Sequence, residues 1–183
     1  HLVPTLRTRG ADGTVQWDEG DDTAVVADRM LQAIKAPSAY RHRMHHELLL
    51  SMECFQTFCR YHLCPKSYKA RIVASRGSKG TKCPQWHIDH VHVRWIQALV
   101  GPGCQWVQDD GASIHWERMN ALDEDMNVED RNALLVDTSA TIQQANEGEA
   151  VLLLGNQWDD AVQPAVHKSP ANLHFWQGRV LLT

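Results

Sequence analysis

The segment CPQWHIDHVHVRW, residues 83–95, contains three histidines and one aspartate within seven consecutive residues and flanks them with tryptophans. β-Branched and aromatic residues continue through WIQALV to a break at GPG, and this composition predicts a strand. Side chains two residues apart on a strand point to the same side, roughly 6–7 Å apart. His87 and Asp89 are therefore predicted to present an imidazole and a carboxylate to one side, where both can bind the same cation.

The bulk composition limits the class of protein. The 183 residues suffice for one domain with a buried core, and 43% apolar and 22% charged residues are typical of soluble globular proteins. The net charge of -4 gives no basic surface, so nucleic acid is not an expected partner. The longest apolar runs, AVLLLG and RVLLT, are far shorter than the roughly 20 residues of a membrane-spanning helix, so no transmembrane segment is expected.

The cysteines and the first residue bear on the cellular compartment. Five cysteines without regular spacing do not resemble a secreted disulfide framework, which indicates a reducing interior. The sequence begins with His1 rather than Met, which is compatible with removal of a signal or transit peptide. We expect a soluble, intracellular protein that is cytoplasmic or, where a transit peptide has been removed, organellar.

Two helices are predicted in the N-terminal third of the chain. Residues 21–36 carry apolar side chains on one helical stripe after a capping aspartate, and Pro37 ends the pattern. A second helix is predicted from about Tyr40 to His62, again with apolar residues at helical spacing. Residues 1–20, with three glycines among polar residues, are predicted to form an irregular lead-in.

Short strands are predicted in the remainder of the chain. The candidate segments are YKARIVAS, WHIDHVHVRWIQALV, QWVQ, ASIHW, EAVLLLG, PAVHKSP and GRVLLT. The acidic segment ALDEDMNVEDRNALL is predicted to be a helix or a surface excursion. A helical N-terminal third followed by many short strands predicts an α+β fold with a barrel or a sandwich as its core.

A third metal ligand is expected from another part of the chain, because two protein ligands rarely suffice. The best candidate is His167 in PAVHKSP, 80 residues after His87 and shortly after the strand EAVLLLG. Two histidines and one carboxylate form the facial triad of non-haem Fe(II) oxygenases, which leaves coordination positions open for a co-substrate and oxygen. Zinc hydrolases use similar ligand sets, so the ligands alone do not decide between iron and zinc.

A fourth residue, Arg179 in QGRVLLT, follows His167 by 12 residues on the next predicted strand. The order His-x-Asp, a long interval, His and then Arg in the last strand resembles the 2-oxoglutarate and Fe(II)-dependent oxygenases. The resemblance implies that His87, Asp89 and His167 are catalytic, metal-binding residues. It also implies that Arg179 binds the distal carboxylate of the cofactor 2-oxoglutarate, a role suited to a planar guanidinium group.

The same resemblance implies a specific form of the core, the double-stranded β-helix, which is a cupin-like jelly-roll barrel. We therefore predict one compact α+β domain with two parts. An N-terminal helical region, residues 1–67, is predicted to pack on a double-stranded β-helix metal-binding core, residues 68–183.

A closer resemblance covers residues 68–183. The segments CPQWHIDHVHVRW, VGPGCQW, GEAVLLLG, VHKSP and GRVLLT together are similar to the family known as domain of unknown function 1826. Bacterial relatives in that family are associated with zinc-responsive gene neighbourhoods, which implies metal homeostasis rather than a defined reaction. The chain departs from the family pattern at Cys104 and Gln105, where Thr and Glu are expected, and at Lys168, where Arg is expected. If the missing acid takes part in catalysis, its absence argues against activity.

Three polar residues in the opening segment have the opposite parity from the predicted ligands. On an unbroken strand His90, His92 and Arg94 point away from the metal. The two histidines are predicted to lie at the surface or behind the ligands. Arg94 lies in an apolar segment, and the family pattern also has Arg there, so we expect it to be buried against a carboxylate of a cofactor, a substrate or an Asp side chain.

Cys83 is a further candidate ligand, because it lies four residues before His87, and a thiolate ligand would favour zinc over iron. Three functions are therefore considered. The first is a 2-oxoglutarate/Fe(II)-dependent oxygenase, and the second is a non-enzymatic zinc-binding protein of metal homeostasis. The third is a catalytically inactive structural or interaction subunit with a protein partner. The sequence does not identify a substrate, which is either a small molecule or a protein.

Overall fold

Two antiparallel sheets and three α-helices make up the part of the chain that the computed structural model describes, residues 11–77, 83–108, 112–119, 121, 125–170 and 178–183. The elements are, in order, β1 Ala11–Asp18, α1 Thr23–Ala33, α2 Ser38–His62, β2 Ser67–Arg76, β3 Val93–Val100, β4 Gln105–Val107, a 3-10 helix Trp116–Arg118, α3 Val128–Leu135, β5 Ile142–Gln144, β6 Ala150–Leu154, β7 His167–Lys168 and β8 Gly178–Leu182.

The strands are arranged in two sheets. The larger sheet has the order β1-β2-β8-β3-β6, the smaller has the order β5-β4-β7, and the neighbours pair antiparallel. The predicted α+β class is therefore confirmed. Within the described residues the two sheets do not close into a barrel, so the double-stranded β-helix stays a prediction. The division of the chain at residues 67 and 68 also stays a prediction.

The two predicted N-terminal helices are confirmed. Asp22 caps α1, because its side chain accepts a hydrogen bond from Ala24 N at 2.9 Å. The apolar stripes of α1 and α2 pack on one face of the larger sheet, where alternate residues of β2 are buried (Tyr68, Ala70, Ile72 and Ala74). None of the described helices has both the length and the apolar composition needed to cross a membrane.

The predicted irregular lead-in is wrong from Ala11 onward, since β1 pairs with β2 over its whole length. Alternate β1 residues are buried, and Val15 and Trp17 belong to the main core. The alternation is real, but a glycine occupies one of the inward positions and aspartates occupy outward ones, so the segment resembles a loop in composition. Residues 1–10, the rest of the predicted lead-in, lie outside the described residues.

The predicted long strand over residues 86–100 is also wrong in its first half, because β3 begins only at Val93. Backbone groups of the preceding segment bond to a turn that follows β6: Asn156 N donates to Asp89 O at 3.0 Å and Gln157 N donates to Val91 O at 3.2 Å. These bonds bend the segment out of the sheet. The predicted ligands therefore lie on irregular backbone.

The other face of the larger sheet carries the polar residues that matter for function. Residues of β2 that alternate with its buried ones, Arg71, Val73 and Ser75, line a cavity together with residues of β3, β7 and β8. Because β7 belongs to the smaller sheet and β8 to the larger one, the cavity has walls from both sheets.

Gly155, in the turn after β6, provides a test of the bent segment. A methyl group added there would lie 2.0 Å from Val91 O and 2.8 Å from Asp89 O, and both are backbone atoms. We predict that Gly155→Ala destabilises the protein by about 1–3 kcal/mol or more, as overpacking does, and lowers the urea unfolding midpoint.

The matched control is Gly20→Ala, because a methyl group there meets no atom of the described residues within 4 Å. Its unfolding midpoint should equal that of the unchanged protein. Equal midpoints for the two variants would contradict the close packing of the turn on the bent segment.

Candidate metal centre

His87 and His167 are held side by side by their backbones. His87 N donates to His167 O and His167 N donates to His87 O, both at 3.0 Å, so the two residues form an antiparallel bridge. Side chains of two residues that exchange both backbone hydrogen bonds lie on the same face. The imidazole centroids are accordingly only 4.4 Å apart, although the residues are 80 positions apart in sequence.

The hydrogen bonds of the two rings leave the same nitrogen of each ring available. His87 Nδ1 lies 2.9 Å from Gln85 O, and His167 Nδ1 lies 3.1 Å from Ala165 O. A carbonyl oxygen only accepts, so each Nδ1 carries the proton and donates it. Each Nε2 therefore remains as the potential ligand atom, and a backbone carbonyl behind Nδ1 is a usual feature of metal-binding histidines.

Asp89 completes the group. Its Oδ2 lies 3.3 Å from His167 Nε2 and accepts a hydrogen bond from Arg94 Nε at 2.5 Å. One ligand atom from each of Asp89, His87 and His167 lies within 4.8 Å of the other two. At 3.3 Å, a carboxylate oxygen and an unprotonated imidazole nitrogen repel each other unless a proton or a cation lies between them. The donor set therefore fits a metal ion.

The charge states of this group also suit a metal. Burial, together with the neighbouring His167, lowers the pKa of His87, which favours the neutral imidazole. Burial alone would raise the pKa of Asp89, but without a metal the hydrogen bond from a protonated His167 and the charges of His167 and Arg94 outweigh burial and lower this pKa to about 2. A metal ion would replace that proton of His167, because a neutral imidazole and an ionised carboxylate are the forms that bind metals.

The three residues line a cavity of about 220 Å³ that is rich in positive charge. Arg71, Arg94, Lys168 and Arg179 line it as well, and Asp89 is the one acid among its described lining residues. Arg71 is paired with Asp12, outside the cavity lining, and Arg94 is paired with Asp89. Lys168 Nζ lies 4.4 Å from the centroid of the Trp86 ring, as in a cation–π contact. The cavity is therefore suited to an anionic ligand.

Arg179 connects the two sheets at this cavity. It lies on β8, is 1% exposed, and donates from Nε to Pro102 O at 2.8 Å and from Nη1 to Ser169 Oγ at 2.9 Å. Burial lowers the pKa of Arg179 to about 10, which still leaves the guanidinium charged at neutral pH. Ser169 follows His167 by two residues, so the arginine is bonded to the segment that carries a candidate ligand.

A family model for a protein of unknown function (DUF1826) matches residues 22–183. The chain belongs to the DUF1826 family. The family resemblance predicted from residues 68–183 is thereby confirmed, and it extends through α1 and α2. No curated protein matches the chain. Because the DUF1826 description names no reaction, the relation to the 2-oxoglutarate oxygenases stays a prediction.

In this DUF1826 protein Arg94 does not point away from the ligands, so the parity prediction is wrong for that residue. The prediction assumed an unbroken strand, whereas the chain bends before β3 and lets Arg94 reach Asp89. Asp89 is thus the carboxylate partner that Arg94 was predicted to have. His90 and His92 are exposed, and the ring of His90 lies 2.8 Å from the side chain of Asn156.

Two cysteines line the cavity of the DUF1826 protein. Cys83 is exposed, and its sulfur is not among the ligand atoms that converge in the described residues. Its role as an additional ligand stays a prediction. Cys104, at the position where the family pattern predicts Thr, is buried.

Ser169 lines the cavity and bonds to Arg179, but the sequence does not predict it as a site residue, although it lies within the motif VHKSP.

Native-state alkylation tests the burial of the thiols. Burial raises the pKa of Cys59 and Cys104 to about 11, whereas Cys54, Cys64 and Cys83 are exposed. At pH 8 we expect iodoacetamide to modify the exposed three at least about tenfold faster than the buried two, because the thiolate is the reactive form. Peptide mass spectrometry measures each rate. Equal rates for Cys104 and Cys83 would contradict the described walls of the cavity.

Proposed function

We propose that His87, Asp89 and His167 hold one divalent metal ion and that the protein acts as a 2-oxoglutarate/Fe(II)-dependent oxygenase. The observation that supports it is the convergence of one ligand atom from each of two imidazoles and one carboxylate in a cationic cavity. Three protein ligands leave coordination positions open for a co-substrate, as in the facial triad. The substrate, a small molecule or a protein, is left open by these features.

Iron with 2-oxoglutarate would supply an oxidation in which oxygen, 2-oxoglutarate and a substrate C–H bond give succinate, carbon dioxide and a hydroxylated product. The residues of the chain would place and shield these groups. His87 and His167 would present Nε2 because carbonyls hold their Nδ1 protons. Arg94 would orient the Asp89 carboxylate through its hydrogen bond to Oδ2.

Arg179 is the proposed anchor for the distal carboxylate of 2-oxoglutarate. Arg179 lines the same cavity as the ligands. Its guanidinium bonds to Ser169, which lies on the segment that carries His167. A buried, rigid guanidinium suits bidentate binding of a carboxylate. The cavity, about 220 Å³, is smaller than the roughly 300–1,000 Å³ of pockets for drug-sized ligands, which suits a small dicarboxylate.

The placement of the site between two antiparallel sheets supports a double-stranded β-helix as the proposed form of the core. In such a core the ligands face the inside, and here they come from the segment before β3 and from β7. We place this core at residues 68–183 and the N-terminal helical region at residues 1–67, as one domain. α1 and α2 pack on the outer face of the larger sheet.

A second candidate function is non-enzymatic zinc binding in metal homeostasis. One observation favours it: Cys83 is among the residues that line the cavity with the three converging ligands. Thiolate ligands favour zinc over iron. Zinc bound this way should slow the alkylation of Cys83, whereas iron bound by the triad alone should not.

Metal binding is the first test. Protein purified without oxygen should bind one Fe(II) or Mn(II) per chain, measured by competition with a fluorescent chelator. His87→Ala and His167→Ala each remove a ligand, so we expect affinity to fall by more than about 100-fold, since even groups behind ligands are worth about 10–100-fold.

The control for these variants is His92→Ala, because His92 lies in the same segment and is exposed, whereas the His90 ring contacts Asn156 in the turn that bonds to Asp89. Its affinity should match that of the unchanged protein. Protein that binds neither iron nor zinc would reject both metal proposals and leave the inactive structural or interaction subunit. Equal affinity in the His92 and His167 variants would place the metal elsewhere.

Cofactor binding is the second test, and Arg179→Lys is the variant. At about 100 times its dissociation constant, 2-oxoglutarate should stabilise the Mn(II)-loaded protein by about 2.7 kcal/mol. The lysine keeps the charge but loses the planar fork, so this stabilisation should largely disappear while Mn(II) affinity is retained. Thermal unfolding with and without 2-oxoglutarate measures both.

Succinate formation by the Fe(II)-loaded protein separates the two functions. Production of succinate from 2-oxoglutarate supports the oxygenase. Tight zinc binding, with no change in unfolding temperature on adding 2-oxoglutarate, supports the zinc-binding protein instead.

A further inference from the structure

The side chain of Asn132, on α3, holds the short segment that precedes His87. Asn132 Nδ2 donates to Pro84 O at 2.9 Å, and Asn132 Oδ1 accepts from Trp86 N at 2.8 Å. One amide side chain thus uses both its donor and its acceptor on backbone groups of this segment. The contact crosses 46 to 48 positions of sequence and is partly buried.

The second of these bonds controls a carbonyl at the metal centre. Trp86 N–H and Gln85 C=O belong to the same planar trans peptide group, so they point in opposite directions. Fixing the N–H on Asn132 aims the carbonyl the other way, toward His87 Nδ1 at 2.9 Å. That carbonyl is the group that keeps the proton on Nδ1 and leaves Nε2 for a metal.

The equivalent carbonyl at the other histidine, His167, is held in a different way. His167 Nδ1 donates to Ala165 O, and the backbone around that carbonyl is held by strand-like bonds: Ala165 N donates to Leu154 O at 2.8 Å, and Val107 N donates to Val166 O at 3.1 Å. Residues 84–86 make no comparable backbone–backbone bond to the rest of the described chain. At His87 the Asn132 side chain therefore fixes the backbone that strand-like pairing fixes at His167.

We propose that Asn132 is a positioning residue of the metal centre, acting through the Gln85–Trp86 peptide group to fix the tautomer and orientation of His87. The inference rests on the proposed metal site. It assigns to α3 a role in metal affinity, although α3 contributes no ligand. An asparagine suits the position because an aspartate lacks the donor for Pro84 O and an alanine lacks both groups.

The test compares Asn132→Ala and Asn132→Asp with Asn127→Ala. Asn127 caps the same helix, since its Oδ1 accepts from Asp130 N at 2.9 Å, but it does not contact the His87 segment. Two quantities are measured: Mn(II) affinity by chelator competition, and the tautomer of His87 from ring nitrogen shifts in metal-free, nitrogen-15-labelled protein at pH 8. The aspartate variant keeps the acceptor for Trp86 and carries the test if the alanine variant does not fold.

We expect Asn132→Ala to weaken Mn(II) binding by about 10–100-fold, as the loss of a group behind a ligand does, and to raise the fraction of His87 with its proton on Nε2. Asn132→Asp should lie between it and the unchanged protein. Asn127→Ala should lower the unfolding temperature but change Mn(II) affinity by less than about threefold, because it weakens the helix without releasing the segment.

Two results would overturn the inference about Asn132 without affecting the proposed metal site. One is an Asn132→Ala protein with unchanged Mn(II) affinity and an unchanged His87 tautomer. The other is an Asn127→Ala protein that loses as much Mn(II) affinity as the Asn132→Ala protein. Failure of the unchanged protein to bind Mn(II) would instead overturn the proposed function. The tautomer of His87 in the Asn132 variants then still decides whether Asn132 positions the ring.

Discussion

The exchange of two backbone hydrogen bonds between His87 and His167 is the interaction on which the candidate site depends. It brings an irregular segment of the chain against a strand of only two residues, β7, and leaves both imidazoles on the same face. Because backbone groups form the pair, the two rings meet without any metal. The entropy of bringing them together is lost when the protein folds, so a metal ion would find two of its ligands already in place.

The charges around this pair are consistent with the anionic co-ligand that we propose. Asp89 is the one acid among the described residues that line the cavity, and Arg94 already forms an ion pair with it. A divalent metal would add positive charge to the cavity that the buried residue Arg179 also lines. Like charges in a partly buried cavity are unfavourable. A dicarboxylate that contacts both the metal and Arg179 would reduce this repulsion, whereas a neutral ligand would not.

The sequence predicted those parts of the site that depend on residue type and order. His87, Asp89 and His167 were identified because imidazoles and carboxylates are the usual metal ligands, and these three do converge. The direction of Arg94 was not predictable, since parity applies only to an unbroken strand and the backbone bonds that bend this segment come from a turn some 65 residues later.

Other features carried no local signal. Asn132 lies in an acidic helix where asparagine is unremarkable, and its importance comes from two long-range bonds. Strand β1 was missed because a glycine takes one of its inward positions, although Val15 and Trp17 keep the alternation expected of a half-buried strand. The helices were predicted well because their apolar stripes are long and Asp22 and Pro37 mark their limits locally.

The bend before β3 determines where Asp89 lies in the candidate site. On a regular strand, residues two apart are separated by roughly 6–7 Å, whereas two ligands of one ion, each bound at about 2 Å, approach each other to about 3 Å. The roughly 6–7 Å separates the backbones and not the ligand atoms, so side chains on a strand would close the gap by turning toward each other. The turn at Gly155 draws the backbone of Asp89 and Val91 aside, and Asp89 Oδ2 thereby comes within 3.3 Å of His167 Nε2. Asn132 then holds the segment on the other side of His87, so the irregular backbone is fixed at both ends.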